Sequence, residues 1–70
     1  MRIEKMIEDI RHQMIIDYFH NAKLPKVKAI RKIVDVCDRS YYEVISGVFK
    51  HKVYTVIFEN GEIISIRKKR

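Results

Sequence analysis

The 70-residue chain contains one cysteine, one proline, two glycines and no tryptophan. The lone Cys37 excludes an internal disulfide framework and suits a reducing cytoplasm, the expected location. With Gly47 and Gly61 as the only glycines, there is no glycine-rich loop to cradle a phosphate. Uncharged stretches such as Gln13 to Ile16 and Val53 to Phe58 fall far short of the roughly 18 apolar residues that span a bilayer. The first residues carry Arg2, Glu4, Lys5, Glu8 and Asp9, so no hydrophobic signal region and no membrane partner are expected. His12, His20, His51 and Cys37 are the only soft metal ligands, and none is paired at i, i+4 or C-x-x-C spacing. No serine stands in a strand-turn-helix elbow. The expectation is therefore a protein without cofactor or metal and without catalytic activity.

What the chain does have is positive charge. Fifteen Lys and Arg against nine Asp and Glu give +6, on a length that allows one domain over residues 1–70. Residues 1–20 carry a net −1 and residues 21–70 a net +7, ending in the basic tail Arg67-Lys68-Lys69-Arg70. Such asymmetry favours a polyanionic partner, nucleic acid first and an anionic membrane second.

Hydrophobic periodicity predicts a first helix at about residues 2–20, since Ile3, Met6, Ile7, Ile10 and Met14 form one stripe. After Leu24-Pro25, the apolar positions Val27, Ile30, Ile33, Val34 and Cys37 predict a second helix at about 25–37, its outer face carrying Lys26, Lys28, Arg31 and Lys32. Ser40-Tyr41-Tyr42-Glu43 reads as a capping box that opens a third helix at about 41–50. A strand at 41–46 competes with it, because Tyr, Val and Ile are strand formers and Gly47 weakens a helix by about 1 kcal/mol. Val53–Phe58 and Ile63–Ile66 flank Asn60-Gly61, the strongest short hairpin signal. Tyr41, Phe49, Tyr54 and Phe58 are expected in the core.

Helix, helix, short turn, helix and hairpin is the order of a winged helix-turn-helix. The residues Ile33-Val34-Asp35-Val36-Cys37-Asp38-Arg39-Ser40-Tyr41-Tyr42-Glu43-Val44 resemble that family's turn motif, with Asp38 where glycine is usual and Val34 where alanine is usual. The resemblance covers about residues 25–67. It implies an α+β fold of three helices and a C-terminal β-hairpin; the alternative is two helices on a three-stranded antiparallel meander.

It also implies a DNA-binding protein, a transcriptional regulator or architectural accessory acting by occupancy on duplex DNA. Lys26, Lys28, Arg31 and Lys32 would meet phosphates, extended by Lys50, Lys52, Arg67, Lys68, Lys69 and Arg70. Arg39, Ser40, Tyr42 and Ser46 would stand near base edges, with Arg39 the strongest guanine reader. Both hairpin faces are apolar, which points to a homodimer that buries Val53, Ile57, Ile64 and Ile66. The same features also fit a non-enzymatic adaptor that binds a protein partner.

Overall fold

A computed structural model describes residues 3–69, with side chains from Lys5 onward. One helix, α1 (Ile3–Asn21), precedes four strands: β1 (Val27–Val36), β2 (Arg39–Ser46), β3 (Lys52–Glu59) and β4 (Glu62–Lys69). The strands form one antiparallel sheet in the order β1-β2-β3-β4.

The first helix lies where periodicity predicts, but the stripe is not its buried face: Met6, Ile7 and Ile10 are exposed, and α1 docks through Ile15 and Phe19 with Met14 at the rim. Its C-terminus closes in a Schellman motif: Leu24 N–H donates to the Phe19 carbonyl (2.9 Å) and Lys23 N–H to that of His20 (3.2 Å). Lys23 takes the left-handed position of that motif, at φ 58°, where glycine is favoured. Leu24 folds back onto the core beside Phe19. The turn directs the chain under the helix and into β1.

The core is a single layer between α1 and one face of the sheet. Ile15 and Phe19 meet Tyr42 and Val44 of β2 and Tyr54, Val56 and Phe58 of β3. The aromatics interlock edge-to-face, Phe19 on Tyr54 at 5.1 Å and Tyr42 on Phe58 at 5.4 Å between centroids. Such offset pairs add about 0.5–1.5 kcal/mol beyond their burial. Met14, Val27, Ile30, Ile63 and Ile66 close the rim. The opposite face of the sheet has no covering layer among the described residues.

The three-helix winged helix expected from the sequence is not the fold. Residues 27–36 form β1 and residues 39–46 form β2, so neither a backbone-crossing helix nor a recognition helix exists. The two-helix alternative fails at β1 as well. The physical reason is that β1 is bulged twice, with Lys28 and Ile33 each inserted between paired neighbours. An extra residue stretches the alternation, so Val27 and Ile30 both face the helix three positions apart and imitate helical spacing. Val27, Ile30, Ile33, Val34 and Val36 are all β-branched, which suits a pleated strand better than a helix. The supposed turn between two helices is a two-residue β-turn at Cys37-Asp38, with Cys37 exposed at φ 55° and not buried at the end of a stripe. In β2 the helix-facing positions are Ser40, Tyr42, Val44 and Ser46, polar at both ends, while Tyr41 and Ile45 face outward. That arrangement hides the strand's period of two.

The last hairpin turns at Asn60-Gly61 with φ 53° and 77°, as the Asn-Gly pair predicts. Glu59 does stand opposite Glu62, and Arg39 from β2 offsets the repulsion with an Nε–Oε1 contact of 3.1 Å to Glu59. Beyond Ile63 the register shifts: Ile64 is bulged, Ser65 faces Ile57 and Ile66 faces Val56. This rotates Ile66 to the helix side.

Candidate nucleic-acid interface

Strand direction collects the chain's cations at one end of the sheet. The turn out of α1, the start of β1, the β2–β3 loop and the end of β4 all lie there, because Ser46 pairs with Val27 and Lys52, and Val53 with Lys69. These segments bring together Lys23, Lys26, Lys28, Lys50, Lys52, Arg67, Lys68 and Lys69, all exposed, with His51 among them. No Asp or Glu occurs in residues 21–28, 46–53 or 63–69. Of the eight cations, only Lys69 reaches a carboxylate among the described residues, Glu43 at 3.8 Å.

The acids are spent elsewhere. Glu43 takes Arg31 at 3.0 Å, Glu59 takes Arg39, and Glu8 sits within 3.7 Å of both Arg11 and Lys32. The opposite end carries Asp35, Asp38, Glu59 and Glu62 around the turns at Cys37-Asp38 and Asn60-Gly61. The molecule is thus polarised from one end to the other, which raises the potential over the basic end.

The β2–β3 loop, residues 47–51, is the most exposed apolar feature of that end. Phe49 is 96% exposed and Val48 63%. The loop is not slack. Gly47 N–H donates to the Lys26 carbonyl at 2.8 Å, and Gly47 adopts φ 111°. A Cβ there would overlap the backbone carbonyl oxygen of Lys50, so the turn demands glycine. Phe49, expected in the core, is held out in solvent. Shallow grooves flank the loop. One runs below the helix end, lined by Ile16, His20, Lys23 and Lys26, and the other lies where β3 begins and β4 ends, lined by His51, Lys52, Lys68 and Lys69 with Glu43 beside them.

Seven of the sequence-predicted DNA contacts therefore converge: Lys26, Lys28, Lys50, Lys52, Arg67, Lys68 and Lys69. The others do not. Arg31 and Lys32 lie mid-strand on opposite faces, each engaged by a carboxylate. Arg39 is at the acidic end, on Glu59. Ser40, Tyr42 and Ser46 face the helix and are buried, out of reach of a base edge. Arg70 lies outside the described residues. Lys23 and Phe49 were missed. The signal for Phe49 was its place two residues after a glycine and directly before Lys50-His51-Lys52. Of the residues expected at a dimer interface, Val53 and Ile57 share the open face, Ile64 is a half-exposed bulge and Ile66 packs toward the core.

A second polar cluster pins α1 to the sheet. Tyr42 Oη donates to Glu8 Oε1 at 2.8 Å and accepts from an Arg11 guanidinium nitrogen at 3.2 Å, which also donates to Ser40 Oγ at 3.1 Å. Lys32 Nζ lies 2.6 Å from Asp35 Oδ2. Burial is the main reason the Tyr42 hydroxyl titrates above the ordinary tyrosine range. The Lys32 ammonium, then Ser40, hold the Asp35 carboxyl below the usual carboxylate range. With Tyr42 buried, these groups clamp the helix to the sheet. Among the described residues there is no group of three potential ligands for a metal, and no helix is long and apolar enough to cross a membrane. No family model, no curated protein and no solved structure matches this chain.

Proposed function

We propose that the protein is a nucleic-acid-binding accessory or regulatory factor of the cytoplasm, which acts by occupying phosphates with the basic end of its sheet. The observation that carries this reading is the segregation of charge: eight cations converge with no acid in the segments that bear them. Solubility alone does not need such a pole, since interspersed signs serve it as well. Lys23, Lys26, Lys28, Lys50, Lys52, Arg67, Lys68 and Lys69 supply the contacts, and Arg31, Lys32 and Arg39 are excluded from them by their carboxylate partners.

The test is an anisotropy titration of a labelled oligonucleotide at two salt concentrations. Five or six phosphate contacts give log affinity a slope of about −4 to −5 against log salt. The double change Lys50→Glu with Lys52→Glu should weaken binding about tenfold or more at low salt. Arg39→Glu, at the far end, should leave it within a factor of about two. Absence of binding at low salt, or equal loss in both variants, rejects the reading.

A protein-binding adaptor or homodimer is the second reading. It is favoured by the uncovered sheet face, where Val34, Val36, Tyr41, Ile45, Val53 and Ile57 lie on neighbouring strands. Sedimentation velocity of the wild type and of Ile57→Glu decides it: a monomer at micromolar concentration in both removes the homodimer.

A further inference from the structure

The geometry points to single-stranded nucleic acid as the ligand of the basic end, with the Phe49 ring as the platform on which a base stacks between flanking lysines. This rests on the nucleic-acid reading above and narrows it. Three features of the end argue for a strand over a duplex. First, the cations lie on both sides of the sheet: Lys52 and Lys68 take helix-side positions, in register with Ser46 and Tyr54, while Arg67 and Lys69 take open-side positions, in register with Thr55 and Val53. A single strand can cross the end and place phosphates on both. A duplex, stiff over about 50 nm, cannot wrap an end of a molecule measuring 35 × 24 × 19 Å.

Second, Phe49 and Val48 project from the loop, 96% and 63% exposed. In a duplex the bases are already stacked, so the protruding ring must either unstack a step, at a cost of a few kcal/mol, or hold the rod away from the lysines. With a single strand, an unstacked base covers the ring while Lys50 and Lys52 meet the phosphates on either side. Third, the loop geometry is fixed in advance by the positive φ of Gly47 and its bond to Lys26. The start of the loop is therefore ordered before a ligand arrives, which lowers the cost of presenting Phe49 on binding. The remaining elements offer no substitute reader: α1 lies on the sheet, and all four strands are paired within it.

The experiment compares wild type, Phe49→Ala and Phe49→Trp on labelled oligomers of roughly 12 nucleotides, poly-dT, poly-U and a mixed-sequence duplex. Vesicles containing phosphatidylserine are titrated in parallel. Thermal melts confirm that the variants fold, as expected for so exposed a position. Single strands should bind more tightly than the duplex at equal salt. Phe49→Ala should weaken single-strand binding about 5- to 100-fold, leave the salt slope unchanged, and leave duplex binding equal or stronger. Because poly-dT and poly-U differ in the base methyl as well as the sugar, a deoxyuridine oligomer compared with poly-U assigns the sugar. The chain has no native tryptophan, so Phe49→Trp provides a lone indole whose fluorescence should be quenched by the single strands and not by the duplex.

Equal single-strand affinity for wild type and Phe49→Ala, with Lys50→Glu and Lys52→Glu still weakening it, overturns the stacking platform and leaves the polyanion reading standing. No binding to any oligomer at low salt overturns both. Binding to the vesicles that depends on Phe49, with none to oligomers, overturns both in favour of a membrane surface.

Discussion

Replacing Tyr42 by Phe removes one oxygen from the centre of the helix clamp and leaves the ring in place. The edge-to-face contact with Phe58 is retained. What is lost is a donor bond to the Glu8 carboxylate at 2.8 Å and an acceptor for Arg11 at 3.2 Å. Hydrogen bonds to charged groups contribute about 1.5–3 kcal/mol each when buried. Glu8 and Arg11 retain 28% and 22% side-chain exposure and stay 3.7 Å apart, so water and their mutual attraction recover part of the loss. The net cost of Tyr42→Phe should be about 1.5–2 kcal/mol, out of roughly 4–10 kcal/mol for a chain of this size. That corresponds to a drop in Tm of about 6–16 °C.

The alkaline limb gives an independent check. Because the folded hydroxyl titrates above its unfolded value, its stabilising share is complete below about pH 10 and is lost as pH rises through the folded value. Urea denaturation at pH 7 and near pH 11 should show the gap between wild type and Tyr42→Phe narrowing at the higher pH. A gap under about 0.5 kcal/mol at neutral pH, or one that does not change with pH, would refute the clamp.

Other perturbations probe the basic end and its supports. Lys23→Gly relieves the left-handed backbone at φ 58° and should raise stability by about 0.5–1 kcal/mol in urea titration, while making the salt slope of nucleic-acid binding less negative by about 0.7–0.9. Gly47→Ala combines positive φ with overlap on the Lys50 carbonyl and should cost about 2 kcal/mol or more, measured as a lower denaturation midpoint. Asp35→Asn should cost under about 1 kcal/mol at pH 7, because the carboxylate is 53% exposed and screened. Since the folded carboxyl titrates below its unfolded value, its contribution is present above the ordinary aspartate range and lost as pH falls through the folded value. The difference between wild type and Asp35→Asn should therefore vanish in acid.

The sequence is most legible where structure is local. Ile3–Asn21 needs only its 3.6-residue stripe to be read as a helix, and Asn60-Gly61 announces its own turn. β1 is illegible for a tertiary reason: the bulges at Lys28 and Ile33 exist only in pairing with β2, and they rewrite the spacing that periodicity relies on. β2 is obscured by polar ends on its buried face: Ser40, which accepts from Arg11 of the helix, and Ser46, whose hydroxyl has no hydrogen-bond partner among the described residues. The basic end follows the same division. The excess of cations after residue 20 is visible in the chain, so Lys26, Lys28, Lys50, Lys52 and Arg67 to Lys69 are found. Which of the other cations would be taken by carboxylates depends on pairings such as Arg31 with Glu43, twelve residues apart across two strands. Phe49 is an aromatic that composition assigns to the core, and only the Gly47 turn turns it outward.

The wholly sequential strand order has a kinetic consequence. Each strand pairs with its immediate successor, through two-residue turns at Cys37-Asp38 and Asn60-Gly61 and a five-residue loop at 47–51. Closing loops this short costs little chain entropy, and isolated hairpins of this kind form in about 1–10 μs. The sheet can therefore zip outward from either tight turn. The long-range step is the docking of α1, where Phe19 must find Tyr54 across half of the chain. If docking follows the folding barrier, truncating Phe19 accelerates unfolding and hardly touches the folding rate, whereas replacing Gly61 by a β-branched residue slows folding itself.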